Sequence, residues 1–224
     1  MAARRSREQK LEGRVAELEG ALGRARAASD ALRRVGMAVG STRDVDELLH
    51  LIVDVTTEVL SAERATLYLL DDGVLVSRVK VGDELRTIRV AVGQGVAGRV
   101  AQTGHALRVP DAYADEHFDR AWDDKSGFRT RSILAVPIKD SQERQPLGVL
   151  QVLNKFDAAG QPGIFTRMDT ELLSTLATQA AVSITKANLI ESLRAKNAQL
   201  AEATARLERT TRDLELLYEL ETAM

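Results

Sequence analysis

The run Val92-Gly93-Gln94-Gly95-Val96-Ala97-Gly98-Arg99-Val100 sets three glycines where an alternating strand pattern gives way to a helical one. A helix start turned by glycines leaves unpaired backbone N–H groups and the positive end of the helix dipole facing one spot, which attracts an anion. Glycines also serve close packing, and the spacing matches neither the P-loop nor the dinucleotide fingerprint, so both roles stay open. A second candidate is acidic. Asp123 and Asp124, with Asp115, Glu116 and Asp119 nearby, have the makings of paired catalytic carboxylates. No histidine, lysine or serine stands in a recognisable supporting motif, and a solvated loop explains them better.

Other chemistry is removed by what the chain lacks. His50, His105 and His117 lie far apart and out of any metal-ligand spacing, so no metal is expected. With no cysteine there is no disulfide framework, thiolate metal site, thiol nucleophile or thioether anchor for a chromophore. The 31 basic and 33 acidic side chains nearly cancel, to a formal charge of −2, so no overall field draws the protein to nucleic acid or an anionic membrane. Arg4, Arg5 and Arg7 form a basic tip that no helix-turn-helix or aromatic-interleaved basic stretch follows. No apolar run approaches the ~18 residues that cross a bilayer, and the amino end lacks a signal peptide's apolar stretch. The expectation is a cytoplasmic protein with no catalytic residues, no cofactor and neither nucleic acid nor membrane as partner.

The elements that would position these residues are legible from periodicity. Segments 65–70 and 74–79 flank Asp71-Asp72-Gly73 and read as a hairpin. Segments 86–92, 132–138 and 147–153 supply further strands, which implies an antiparallel sheet. Helices are expected over 45–60, 96–103 and 169–185, the last running on toward the end of the chain. Between Asp111 and Arg131 charges, Gly127 and aromatics mix without a period, predicting irregular structure with a helical turn that covers a site.

Both ends carry heptads. Leu11, Leu18, Ala25 and Leu32 fall at d, with Val15, Leu22, Ser29 and Gly36 at a; Leu193, Leu200, Leu207 and Leu214 repeat the seam more strongly, with Ile190, Asn197, Thr204, Thr211 and Tyr218 at a. An asparagine at a, here Asn197, pairs with its twin across a two-fold axis and sets register, so a parallel homodimer is expected.

Gly93-Gln94-Gly95-Val96-Ala97-Gly98, Val109-Pro110-Asp111-Ala112-Tyr113, Asp123 through Arg131 and Val136-Pro137-Ile138 together resemble a GAF domain over roughly Asp30 to Asn188. The resemblance is strongest to the cyclic-nucleotide-binding GAF domains of phosphodiesterases and cyanobacterial adenylate cyclases. Their Asn-Lys, Phe, Asp-Glu signature is matched in order by Asn154-Lys155, Phe165 and Asp169, with Thr170 where the final glutamate belongs. The resemblance implies an α/β (strictly α+β) fold: a six-stranded antiparallel sheet flanked by helices, with coiled-coil helices at both ends, over residues 1–35, 36–188 and 189–224. It also implies backbone contacts from Val96 and Ala97 to a cyclic phosphate, and base and ribose contacts from Asp123, Ser126 and Thr130. Thr66 and Gln151 point into the same cavity. Lys80-Val81 stands where relatives carry an aromatic-acidic pair, and Gln151 where many carry glutamate. Lys155 and Asp169 are implied to be a structural clasp.

The function so implied is a ligand-sensing regulatory domain for cAMP or cGMP that signals through dimeric coils to a fused output domain. The alternative is a dimerisation and relay module whose pocket is degenerate and takes no ligand. Residues 213–224 echo the stretch 30–37 before the domain, which suggests the opening of a further sensor domain.

Overall fold

The structure, a computed structural model, describes residues 29–38, 45–81, 84–139 and 146–222, with positions 23 and 26; for Val45, 78–81, 84–86 and 213–222 it describes the backbone alone. Helix α1 (29–38) is followed by α2 (Val45–Val59), β1 (Ala62–Asp71), β2 (Val74–Val81), β3 (Glu84–Ala91), α3 (Gly95–Thr103) and β4 (Leu107–Val109). A 3-10 turn (Ala112–Ala114), α4 (Ala121–Ser126), β5 (Ile133–Ile138), β6 (Gly148–Lys155) and α5 (Arg167–Thr222) complete the order. The strands form one six-stranded sheet, β3-β2-β1-β6-β5-β4, antiparallel throughout.

Local chemistry explains the turns. Asp72 and Gly73 both take positive φ, 45° and 80°, the handedness that matches a two-residue hairpin turn to strand twist. After β3 the chain reverses into α3 with Gly95 at φ 61°, a conformation open to glycine. Gly98 serves the other purpose: a Cβ there would collide with the Ala91 carbonyl oxygen, and Gly93 N–H donates to Gly98 O at 2.8 Å. The turn into α3 and the close packing behind it thus fall on different glycines of the run.

Alternation along the strands divides the core in two. Leu134, Val136, Leu150 and Val152 are fully buried, as are Ile52 and Val55 of α2 and Leu173, Leu176 and Ala180 of α5. The opposite set, including Tyr68, Ile133, Ala135, Val149 and Leu153, gathers with Val96, Ala97, Val100 and Ala101 of α3 into a separate apolar cluster.

The chain divides into a unit ending at Ser183 and another from Ile184. In the second, helical through Thr222, Leu189, Leu193, Leu200 and Leu207 are 51–68% exposed. Of the expected amino-terminal seam, positions 11, 15, 18, 22 and 25 lie outside the described residues, as do the side chains of Leu214 and Tyr218 in the other seam. Residues 29–38 bury Ala31 and Val35, whereas the seam residues Ser29 and Gly36 are exposed. Strand β4 has no counterpart in the pattern reading: three residues with only Val109 buried are too short to show a period.

Candidate ligand pocket

Between the centre of the sheet and the segment carrying α4 lies a cavity of about 260 Å³. Thr66 and Tyr68 of β1 and Gln151 of β6 line it, with Thr66 and Gln151 directly opposed in register. Val96 and Ala97 at the start of α3 form one wall, Ile88 and Val90 of β3 another, and Trp122 and Asp123 of α4 face in from the lid. Arg64, Arg89 and Lys125 also reach it, a cationic surround tempered by Asp119 and Asp123.

Thr66 is 4% exposed and Tyr68 6%, yet among the described residues neither hydroxyl, nor the Gln151 amide, has a hydrogen-bond partner in the protein. Burial pushes the Tyr68 hydroxyl up to about 12, against a smaller downward pull from the Arg64 charge, so it stays a neutral donor and acceptor.

The lid is held by its own acids. The Asp123 carboxylate accepts from Thr130 Oγ1 at 2.8 Å on one oxygen and from Thr130 N–H at 2.7 Å and Tyr113 Oη at 3.3 Å on the other. Burial and the neighbouring Asp123 charge raise the Tyr113 hydroxyl above its ordinary pKa. Asp111, Asp115 and Asp119 accept from the backbone N–H two residues on, the side-chain turn that aspartate favours. Asp119 also accepts from Gln94 Nε2 at 3.3 Å, joining the lid to the residue that precedes α3. These acids are internal acceptors, neither a carboxylate pair nor a merely solvated loop.

Of the residues singled out from sequence, Thr66, Val96, Ala97, Asp123, Thr130 and Gln151 line one cavity. Ser126 does not: it is exposed, its Oγ donating to Trp122 O at 2.8 Å. Lys80 pairs with Leu85 in the β2–β3 ladder, and its side chain lies outside the described residues. Asn154, Lys155, Phe165 and Asp169 sit away from the cavity lining. Asn154, at φ 58°, accepts from Arg131 N–H and donates to Arg129 O and Glu63, tying the chain before β5 to the sheet. Lys155 Nζ reaches Asp169 at 2.7 Å and Leu60 O at 2.8 Å, 5.9 Å from the buried Phe165 ring. Asp169 and Thr166 bond each other's backbone N–H in a reciprocal cap at the start of α5.

Sequence reasoning missed Tyr68, Trp122, Arg64, Arg89 and Lys125. Arg64 and Tyr68 were within reach, each two residues from Thr66 on a strand and so on the same face.

A six-stranded antiparallel sheet of this order, with a glycine-turned helix and the α4 segment over one face, defines an α+β class of fold. The GAF domain family model matches residues 44–184, and the chain belongs to that family. It is 32% identical over 166 residues to the Drosophila melanogaster "Dual 3′,5′-cyclic-AMP and -GMP phosphodiesterase 11", covering 66% of this chain and 11% of that protein. It is 30% identical over 164 residues to the Caenorhabditis elegans "Probable 3′,5′-cyclic phosphodiesterase pde-5", covering 67% of this chain and 22% of that one. The chain therefore spans under a quarter of the length of either. Among solved structures, the GAF domain of a phosphoenolpyruvate-protein phosphotransferase from Coxiella burnetii matches with a TM-score of 0.62 at 22% identity, over 75% of this chain and 98% of that one. A free methionine-R-sulfoxide reductase from Neisseria meningitidis, in complex with its substrate, matches at 0.59 and 21%, over 73% and 91%. At such identity these two share the fold. Among the described residues no group of three metal-binding side chains occurs, and no helix is long and apolar enough to cross a membrane.

Proposed function

We propose that the chain is a regulatory sensor module whose pocket takes a cyclic purine mononucleotide, cAMP or cGMP, and whose helices pass the signal to a fused output domain. The observation that carries this reading is the set of polar side chains without a partner among the described residues, Thr66, Tyr68 and Gln151, lining the same cavity as the start of α3. A cyclic phosphate bears one negative charge, which backbone N–H groups at a helix start hold without a lysine clamp. A purine edge presents donors and acceptors, and two hydroxyls and an amide answer either kind. The two curated relatives are phosphodiesterases of cyclic nucleotides by name, which agrees.

The module is a cytoplasmic, parallel homodimer in this reading, with residues 1–35 and 189–224 as coils around a domain at 36–188. The exposed Leu193, Leu200 and Leu207 supply the seam. The reading includes no catalysis by this chain, and without cysteine it has no thiol for two-electron redox chemistry. The competing reading, a relay module with no ligand, draws on Asp123 and Thr130, whose polar atoms are engaged with each other. Titration calorimetry with both nucleotides decides. If neither binds below about 100 μM, a free energy of only ~5.5 kcal/mol, the relay module takes its place.

A further inference from the structure

Trp122 is the chain's one tryptophan, and it lines the cavity from α4. It is half-buried, yet the apolar cluster that closes this face takes in Tyr113, Phe118 and Phe128 and leaves Trp122 out. A ring of its size ordinarily buries 150–250 Å² against neighbours.

The other aromatic rings nearby are already engaged. Phe128 has the Arg64 guanidinium over it at 4.2 Å. Tyr113 has Arg120 at 4.7 Å and Arg129 at 4.6 Å, and Phe118 packs on Tyr113 with centroids 5.5 Å apart. Tyr68 lies in the core. Of the described aromatic residues that line the cavity, Tyr68, Phe118 and Trp122, only Trp122 stands outside the apolar cluster, and it has neither ring nor cation against it.

Its backbone is also fixed. Asp123, the next residue, is held by three hydrogen bonds, and the Trp122 carbonyl accepts from Ser126 Oγ at 2.8 Å. A large, half-buried aromatic side chain on a fixed backbone, lining a cavity with polar groups that have no partner among the described residues, suits a ligand that is flat and apolar on its face and polar at its rim.

We infer that Trp122 is the stacking residue of this pocket, through which the site selects ligands carrying a planar heteroaromatic ring over cyclic sugar phosphates without one. The inference rests on the nucleotide reading above and adds the selecting residue. Its test uses the full chain, with cAMP, cGMP and base-free ribose 3′,5′-cyclic phosphate as probes, calorimetry as one readout and tryptophan emission as another. With a single indole, any change in emission reports on Trp122.

Nucleotide binding should shift or quench that emission. Trp122→Leu should raise the nucleotide Kd by about 10- to 100-fold, in keeping with stacking on an aromatic side chain, while Trp122→Phe should stay within about fivefold of wild type. The base-free probe should bind wild type about as weakly as the nucleotide binds Trp122→Leu. Should Trp122→Leu fail to fold by circular dichroism, emission and the base-free comparison on wild type decide. Nucleotide binding with unchanged emission, together with equal affinity for the base-free probe, overturns the role of Trp122 and leaves the nucleotide reading standing. No binding of either nucleotide overturns both.

Discussion

The two faces of the sheet are cut from the same strands and finished differently. Toward α2 and the first turns of α5 the strands present Leu134, Val136, Leu150 and Val152, all sealed. Buried polar groups at the margin of that side are bonded: Ser132 Oγ donates to Gly163 O at 3.0 Å and accepts from Lys155 N–H, and Lys155 meets Asp169 with side chains 16% and 13% exposed. Toward α3 and α4, Thr66, Tyr68 and Gln151 stand among the aliphatics with no partner among the described residues. These three groups open into the cavity, where an incoming molecule can answer them; among the described residues the one fully buried side-chain polar atom without a partner is Arg131 Nε. In the ligand reading, the contrast separates polar groups that hold the fold from polar groups that meet what enters it.

The largest effect should come from the bonded side. Lys155→Ala leaves Asp169 with its cap but without its cation, and frees the Leu60 carbonyl. Breaking so buried a pair should cost about 3 kcal/mol, or roughly 6–12 °C in Tm, with no pocket-lining group removed. Urea unfolding measures this. An unchanged midpoint would show that the clasp contributes nothing net and would erase the contrast from this side.

The lid should respond next. Asp123→Ala removes the acceptor of three hydrogen bonds and leaves the buried Thr130 N–H without its partner, at about 1–3 kcal/mol. The loss should be local. Hydrogen exchange should speed at residues 121–130 and leave β5 and β6 protected; uniform acceleration would mean that the lid is no separate unit.

Alkaline titration reads the pocket floor directly. Tyr68 has its hydroxyl at about 12 in the folded chain against an ordinary 10.0, a difference worth about 2–3 kcal/mol. Because the folded value is the higher one, this stability is fully present below pH 10 and lost as pH rises toward 12. Of the three tyrosines, one should resist ionisation by absorbance until the protein unfolds. Tyr68→Phe should flatten the fall in Tm between pH 10 and 12, and a variant that keeps wild type's fall would place the buried hydroxyl elsewhere.

How far sequence reached follows the same division. Period and turn chemistry placed the hairpin at Asp72-Gly73, the glycine turn into α3 and the strands at 132–138 and 147–153, because alternation is a local property of burial. The lid was legible only as aperiodic. Its order comes from Asp123 meeting Thr130 seven residues on and Gln94 meeting Asp119 across 25 positions, contacts that leave no period. Thr130 and Asp123 could be placed beside one cavity by resemblance, but that they bond each other could not. Trp122 was passed over because one aromatic next to an acidic pair has no spacing to read.

The smallest effect on stability is the sharpest test of the comparison. Thr66→Val swaps a hydroxyl for a methyl of nearly the same shape at a site where the hydroxyl has no protein partner. Removing one member of a real bond leaves the other unsatisfied, whereas removing a hydroxyl that opens into the cavity leaves nothing unsatisfied. Thr66→Val should therefore hold or raise stability, by less than about 1 kcal/mol, while weakening a nucleotide several-fold. Ser132→Ala, its bonded counterpart, leaves the Gly163 carbonyl and the Lys155 N–H without their partner and should lose about 1–2 kcal/mol with little change in affinity. Paired urea midpoints and calorimetry read both signs at once. If Thr66→Val costs as much stability as Ser132→Ala, the Thr66 hydroxyl is satisfied within the fold, and the case that this face is built around a ligand loses its foundation.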